Sequence, residues 1–515
     1  MKLLVAVSFI VALSCLGCSI HQEPYDVDKQ YDILIREGVV IDGTGSPGRK
    51  TDILIQHGRI VHIGHVEPAK ITVREIINAS GMVVTPGFID THAHGSPVRT
   101  PEFRNFTAMG VTTIFLGQDG ASAANISEWM HQVEKARPSL NIATLVGHGT
   151  VRNSAGIKLN PDPQTDDLLW MAELVDNALE AGCFGLSTGL EYQPGIFSSA
   201  VELTAIALPV GRRNRIIHSH MRSEDDDVID SAIQELIAQG KSGSCAVHIS
   251  HLKVVYGHGE KRAVEILEQL AEARRSGSHI TADMYPYTAS HTGIGIVFPI
   301  WAKPPNDYKE VAASRRKELA AYLRKRVELR NGPEATLFGT APWAGKTLKQ
   351  VADELNKPFE DVLIDDIGPG GASAAYFVMD SELQNHMFVD SHVMVCSDGS
   401  PTMRHPRGYG SFAKVIRYYV RERNLLTLEE AVHKMTGLPA ATMGLIGQKR
   451  GLLKSEFAAD VLVFDPEKVQ DRATFEKPHQ LTEGFDWVLV NGIPVRAQGE
   501  FTGDRGGNML RKHDE

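Results

Sequence analysis

Cysteine is scarce in this chain. Five cysteines occur in 515 residues, and two of them, Cys15 and Cys18, lie near the amino terminus. The other three, Cys183, Cys245 and Cys396, each lie in or beside an apolar run, a setting typical of small buried hydrophobic residues. An odd number of thiols also argues against a disulfide framework, so we predict that no disulfide bond stabilises this fold.

Long basic runs are missing as well. Lys and Arg number 53 against 63 for Asp and Glu, which gives a net charge of −10. Because nucleic-acid binding depends on clustered positive charge, we expect no nucleic-acid partner. A hydrophobic share of 42% and 47 glycines are typical of a globular protein and exclude a disordered or fibrous chain.

The first hydrophobic run is short. It extends from Leu3 to Leu13 after Lys2, which is enough for the core of a signal peptide but too little to span a bilayer. It leads into Cys15 and Cys18, each of which follows a small residue. This pattern resembles the cleavage site of a bacterial lipoprotein.

We therefore expect residues 1–18 to form a lipoprotein signal and residues 19–29 a polar tether. Lipidation of Cys18 is the first choice, and Cys15 is the alternative because the usual leucine is absent three residues before Cys18. An ordinary secretory signal or an uncleaved anchor also fits the pattern. The expected location is the periplasm, with a lipid anchor in a bacterial membrane.

Short strand-like runs alternate with helical stretches between residues 81 and 449. The runs predicted as barrel strands are 83–90, 112–116, 141–146, 184–187, 216–220, 246–250, 280–284 and 393–397. Such alternation predicts strand–helix units with a parallel sheet, here a (β/α)8 TIM-type barrel. The gap before the last strand is too long for one unit, so we predict an insertion at residues 290–350, either a lid or a decoration.

The regions before and after this strand–helix alternation contain β segments with glycine turns. Residues 32–35 and 52–55 form a short repeat of strand character, and residues 460–464 have the same texture. We predict that residues 30–80 and 450–515 build one small β-sandwich domain, with two unrelated β segments as the alternative. The predicted fold class is therefore α/β, a barrel with a small β domain.

Two histidines, His92 and His94, end the first predicted barrel strand. Their spacing places both side chains on one side of a strand, where convergent imidazoles suit a divalent metal. Taken alone, the pair could equally well be two incidental histidines in a loop. Further candidate ligands stand just past other apolar runs, namely Asp119, His220, His251 and Asp398. Because the strand ends of a barrel converge on one face, we predict a single metal centre.

Nitrogen and oxygen ligands suit zinc, and less distinctively manganese, iron or cobalt. A divalent ion lowers the pKa of coordinated water from near 16 to about 7 and so creates hydroxide at working pH. Asp398 is the candidate proton shuttle, the candidate metal ligand, or both. Asp119 is a candidate bridge between two ions, although residues 118–120 could also form only a turn.

Three residues near the same strand ends are candidates for substrate binding. Lys253 lies two residues beyond His251 and could pair with a substrate carboxylate. Tyr192 and Tyr285 follow the fourth and seventh predicted strands. Their hydroxyls could bind a carboxylate or an oxyanion, or the rings could simply form the wall of the site.

Taken together, several segments resemble the amidohydrolase superfamily and, within it, the D-aminoacylase (N-acyl-D-amino-acid deacylase) family. They are residues 86–94, 185–189, 219–222, 249–253, 285–287, 397–399, 405–407 and 434–437. The first segment alone indicates only the superfamily, whereas the ordered combination is specific to the deacylase branch. The resemblance covers nearly all of residues 30–515.

The resemblance implies a zinc-bound hydroxide that attacks the amide carbonyl of an N-acyl-D-amino acid or a small D-residue peptide. It implies a tightly held metal on His220 and His251. It implies a second position formed by His92, His94 and Asp398, with Asp398 as proton shuttle. The positions that handle the substrate's carboxylate and carbonyl are matched by Lys253, Tyr192 and Tyr285.

One turn departs from the family pattern. Where that family carries a metal-bridging cysteine in a Gly-Asn-Cys-Gly turn, this chain has Asp119, so a carboxylate replaces a thiolate. One or two zinc ions, or other divalent metals, therefore remain open. The alternatives are another amidohydrolase, a cyclic amidase or a deaminase, and a non-catalytic lipoprotein that binds cell-wall fragments. Glu224 lies four rather than three residues after His220, which weakens the deaminase hypothesis.

Overall fold

The computed structural model describes residues 25–514. The predicted signal at residues 1–18, its two cysteines and most of the predicted tether lie outside the described residues. The strands are β1 (Gln30–Val40), β2 (Arg49–Gln56), β3 (Arg59–Gly64), β4 (Thr72–Asn78), β5 (Val83–Pro86), β6 (Phe88–Asp90), β7 (Val111–Leu116), β8 (Asn141–Thr144), β9 (Val146–Gly147), β10 (Gly185–Gly189), β11 (Ile216–His220), β12 (Ala246–Ile249), β13 (Ile280–Met284), β14 (Ser290–Gly293), β15 (Thr336–Phe338), β16 (Ser373–Tyr376), β17 (Val393–Val395), β18 (Val461–Phe464), β19 (Phe485–Val490), β20 (Ile493–Ala497) and β21 (Glu500–Phe501).

Helices alternate with the strands through the middle of the chain. They are α1 (Arg104–Ala108), α2 (Ile126–Ala136), α3 (His148–Ser154), α4 (Thr165–Glu180), α5 (Ala200–Arg212), α6 (Ile229–Gly243), α7 (Gly259–Arg275), α8 (Tyr308–Ser314), α9 (Arg316–Leu329), α10 (Leu348–Leu355), α11 (Phe359–Asp361), α12 (Ser381–Phe388), α13 (Arg407–Lys414), α14 (Leu428–Met435) and α15 (Gly437–Thr442). Within residues 25–514, none of these helices combines the length and the apolar character that a membrane span requires.

The predicted (β/α)8 barrel is confirmed. Strands β6, β7 and β8 form one parallel sheet, and β9 to β13 with β17 form a second. Strands β8 and β9 are two halves of one strand, interrupted at Leu145, whose amide bonds the Leu116 carbonyl at 2.9 Å. The last strand, β17, meets the first, β6, just beyond their ends, where the Asp398 amide bonds the His92 carbonyl at 2.8 Å. These contacts join eight strands into a ring.

Burial explains these elements. All six residues of β7 are buried, as expected for a parallel strand covered on both faces. In α2, Ile126, Met130 and Val133 are buried at helical spacing, and the Asn125 side chain caps the first turn by accepting from the Glu128 amide. The barrel core therefore lies between the strands and their helices.

A nine-stranded sheet combines the two ends of the described chain. Its order is β21-β20-β19-β18-β5-β1-β2-β3, with β4 paired to β1. The predicted small β domain is thus confirmed as a unit built from both chain ends. Its first segment extends past residue 80, because β5 belongs to the same sheet. The predicted strand 83–90 is divided at Gly87, whose amide bonds the Asp460 carbonyl of the small domain, whereas Phe88 bonds Gly110 of the barrel.

The insertion extends further than residues 290–350. Strands β14, β16 and β15 form an antiparallel sheet in that order, so the segment runs at least to Tyr376. Pairing of β16 with β14 brings these later residues back to the mouth of the barrel. The insertion has its own core, in which Leu319 and Leu323 of α9 pack with Phe338 and Ile294.

Candidate metal centre

The predicted metal ligands converge at the carboxyl ends of the barrel strands. Within each of two groups, potential ligand atoms lie within 4.8 Å of one another. The first group is His92, His94, Asp119 and Asp398, and the second is Asp119, His220 and His251. All of them except the buried His92 line a cavity of about 250 Å³. The structure thus brings all the predicted ligands to one place.

Asp119 connects the two groups. Its Oδ1 lies 3.3 Å from Nε2 of His251 and 3.8 Å from Nδ1 of His220. Its Oδ2 faces His94, 3.3 Å from Nε2, and the Asp398 carboxylate lies 3.2 Å from that same nitrogen. Because Oδ1 also lies 3.4 Å from Nε2 of His92, the Asp119 carboxylate reaches both groups.

Unusual backbone conformations direct several of these side chains inward. Asp119, His251 and Asp398 have φ angles of 54°, 39° and 46°, in the left-handed region that non-glycine residues rarely occupy. Aspartate tolerates this region better than histidine does. Strained positions of this kind cluster at functional sites, where the surrounding structure holds them.

Each histidine of the second group has an acidic partner. Nε2 of His220 lies 3.1 Å from Glu191 Oε2, and Nδ1 of His251 lies 3.0 Å from Glu224 Oε1. The remaining nitrogens, Nδ1 of His220 and Nε2 of His251, lie 3.0 Å apart. A metal-ligating imidazole commonly donates its other N–H to a carboxylate, which orients the ring. This arrangement leaves the two facing nitrogens available to a metal.

The electrostatics of the cage fit a cation. Burial raises the pKa of Asp119, but His92 and the other imidazoles hold that pKa well below its usual range. Burial lowers the pKa of His94, but Asp119 and Asp398 outweigh it and raise the pKa to about 10. Both ring nitrogens of His92 are buried without a hydrogen-bond partner. Ionised carboxylates facing orphaned imidazole nitrogens are the donor set that a divalent metal requires.

Lys253 and Tyr192 line the cavity. The buried Lys253 ammonium lies 2.5 Å from Glu224 Oε1 and 2.8 Å from Nδ1 of His251. The Tyr192 hydroxyl accepts a hydrogen bond from Thr292 at 3.1 Å. Two of the predicted substrate residues therefore face the space beside the metal cage.

Tyr285 is buried but is not among the residues that line the cavity. Its ring centroid lies 4.7 Å from the Arg407 guanidinium carbon and 5.9 Å from Lys253 Nζ. Both distances are typical of cation–π contacts, so the ring interacts with both cations.

Several functional candidates escaped the sequence analysis. Arg407, which the sequence analysis gives only as part of the family-like segment 405–407, places Nη1 2.8 Å from Asp398 Oδ2 and lines the cavity. Glu191 directly precedes Tyr192, and Glu224 lies four residues after His220. This proximity to predicted site residues was the only indication in the sequence that either glutamate belongs to the site. Arg330 also lines the cavity, yet nothing in its local sequence distinguishes it from neighbouring surface arginines.

Comparisons with known proteins agree with this geometry. The sequence model of the amidohydrolase family matches residues 75–325 and 360–496. The chain is 33% identical over 512 residues to the N-acyl-D-glutamate deacylase of Alcaligenes xylosoxydans xylosoxydans, covering 94% of this chain and 98% of that protein. It is 31% identical over 519 residues to the D-aminoacylase of the same organism, covering 94% and 98%.

A solved structure is similar over the same range. It is the N-acyl-D-glutamate deacylase of Bordetella bronchiseptica, complexed with zinc and a phosphonate inhibitor that mimics the tetrahedral intermediate. The TM-score is 0.81 at 33% identity, covering 94% of this chain and all of that one, 100%. The shared fold therefore includes the barrel and the small β domain.

Proposed function

The chain belongs to the amidohydrolase family, in its D-aminoacylase branch, and on that premise we propose that it is a zinc-dependent hydrolase of N-acyl-D-amino acids or small D-residue peptides. Family membership makes it a metal-dependent enzyme that acts on carbon–nitrogen bonds. The observation that carries the proposal is the convergence of the candidate ligands on one cavity, which also contains Lys253 and Arg407.

The residues present fit zinc. Nδ1 of His220, Nε2 of His251 and Oδ1 of Asp119 would hold one ion, since the two histidines are already oriented by acidic partners. His92, His94, Asp398 and Oδ2 of Asp119 would hold a second. When bound, zinc polarises a carbonyl and lowers the pKa of coordinated water to about 7.

We assign the proton transfer to Asp398. Burial raises its pKa, but Arg407 and the nearby imidazoles outweigh this and keep the carboxylate ionised. Arg407 occupies Oδ2 at 2.8 Å, so Oδ1 remains directed toward His94 and the cage. We propose that Oδ1 takes a proton from the attacking water and delivers it to the departing amide nitrogen.

The cations of the cavity suit the substrate's α-carboxylate. Lys253 and Arg407 both line the cavity close to the cage, and both stay charged because Glu224 and Asp398 oppose them. The Tyr192 hydroxyl accepts from Thr292, which leaves its own hydrogen free to donate to the substrate carbonyl. These contacts would place the amide carbon beside the cage.

The direct test is a panel of N-acetyl amino acids and dipeptides in both enantiomers, assayed for released amine with zinc-loaded protein. We expect release from the D series only, and loss of activity after chelation. A hydantoin and an aminopurine in the same panel test the cyclic amidase and deaminase alternatives. Release from either of these, with none from the N-acetyl-D series, would overturn the proposal.

We also propose that the protein is exported and lipid-anchored. Support comes only from the apolar run and the two cysteines within residues 1–18 of the sequence.

A further inference from the structure

Arg330 is a buried cation in the wall of the catalytic cavity. It directly follows α9 of the insertion, its exposed fraction is 4%, and it lines the cavity. Its Nε has no hydrogen-bond partner. A guanidinium carries five N–H donors and keeps its charge, and a buried donor left unpaired is costly. This side chain therefore lacks part of the partner set that its position requires.

The charges around Arg330 do not balance. Its Nη1 reaches Asp225 Oδ1 only at 3.4 Å, while Arg326 makes a closer ion pair with the other oxygen of the same carboxylate. Burial and the adjacent Arg326 lower the pKa of Arg330. Glu191, another acid that lines the cavity, lies 3.1 Å from Nε2 of His220. Two guanidiniums thus share one carboxylate.

Each of the other two cations that line the cavity has a carboxylate of its own, although Nε and Nη1 of Arg407 also lack a hydrogen-bond partner. Lys253 pairs with Glu224 at 2.5 Å and Arg407 with Asp398 at 2.8 Å, next to the metal ligands. A substrate with one carboxylate would use that end alone. Arg330 would then face an uncharged group and keep its unpaired donor.

We propose that Arg330 binds an anionic group on the substrate side chain, so that the preferred substrates are N-acyl-D-amino acids with a carboxylate side chain. This inference rests on the proposed function. A carboxylate can accept two parallel bonds from a guanidinium, which supplies both the missing partner and the missing charge. Ile296, Val255 and Met403 line the same cavity and suit the intervening methylene groups.

The alternative is that Arg330 only ties the insertion to the barrel through Asp225. Arg326 already makes that connection at shorter range, and it is not among the residues that line the cavity. Both arginines therefore contact Asp225, but only Arg330 also lines the cavity, which makes Arg326 a suitable control.

The test compares N-acetyl-D-glutamate with N-acetyl-D-glutamine, which have nearly the same shape but differ in charge. We expect the zinc-loaded wild-type protein to favour glutamate by about 100-fold in kcat/KM, as losing one member of a buried charge pair implies. Arg330→Met should remove this preference, because KM should rise for N-acetyl-D-glutamate much more than for N-acetyl-D-glutamine. Arg330→Lys should restore part of it.

The control is Arg326→Met, which should change both substrates in proportion. Equal kcat/KM for both substrates in the wild type overturns the inference without any variant, as does an equal loss for both in Arg330→Met. In either case the deacylase function itself stands. If the wild type releases amine from no N-acyl-D-amino acid, the proposed function and this inference fall together.

Discussion

Asp283 accepts a hydrogen bond from the backbone amide of His251 at 2.6 Å. Asp283 lies on β13, whereas His251 lies in the turn that follows the neighbouring strand β12 and has the left-handed φ of 39°. The second carboxylate oxygen of Asp283 accepts from Thr91 at 2.5 Å and lies 2.9 Å from His248 Nε2. Burial raises the pKa of Asp283, but His248 and Thr91 hold it below its usual range. Asp283 is thus a positioning residue that fixes the turn carrying His251.

Removing the Asp283 carboxylate should weaken zinc binding. We expect Asp283→Ala to lower zinc affinity by about 10- to 100-fold, as is typical when a partner behind a metal ligand is lost. Competition with a chromophoric chelator measures the affinity. Asp283→Asn keeps one acceptor oxygen and should lose less. Unchanged zinc affinity in a folded Asp283→Ala protein would show that the turn holds without the carboxylate.

The sequence predicted the barrel because each parallel strand is an apolar run buried on both faces, as in β7. The spacing of His92 and His94 also carried over directly into the cage. Contacts between strands were harder to foresee. Glu224 reaches His251, which follows the next strand and lies 27 positions later in the chain, and no local sequence pattern indicates such a partner. Arg330 reaches the cavity only because the insertion packs over the barrel mouth.

Loss of the proton shuttle should separate turnover from metal binding. Asp398→Asn keeps an oxygen near His94 but cannot take up a proton, so we expect kcat to fall by about 100- to 10,000-fold. The zinc ion held by His220, His251 and Asp119 should remain, because those three ligands are unchanged. Steady-state kinetics and metal analysis on the same preparation give both values. Wild-type turnover would exclude Asp398 from proton transfer.

Lys253→Met removes a cation but keeps an apolar stem. We expect KM for N-acetyl-D-amino acids to rise by about 10- to 100-fold, since the α-carboxylate loses a buried partner. The matched substrate is an N-acetylated amine without a carboxylate, whose turnover should change little. Lys253 also lies 2.8 Å from His251 Nδ1, so zinc content is measured alongside. An unchanged KM would leave the carboxylate without its proposed partner.

Lipidation can be followed independently of activity. Growth with labelled palmitate should mark the full-length protein, and Cys18→Ala should abolish the label. Cys15→Ala is the matched control and should retain it. Loss of label in Cys15→Ala alone would move the modified residue to Cys15. A wild-type protein without label would instead support an ordinary secretory signal or an uncleaved anchor.

Asp119 should determine how many ions the centre holds. Its Oδ1 faces His220 and His251 and its Oδ2 faces His94, so we expect two zinc ions per chain at saturation. Asp119→Asn keeps one ligating oxygen and loses the charge. The second ion should therefore be lost, while the ion on His220 and His251 weakens by about tenfold to 100-fold. Asp119→Cys should recover tight binding, because a thiolate is a strong zinc ligand. Elemental analysis after equilibrium dialysis measures the stoichiometry, and equal zinc content in the wild type and Asp119→Asn would exclude a bridging carboxylate.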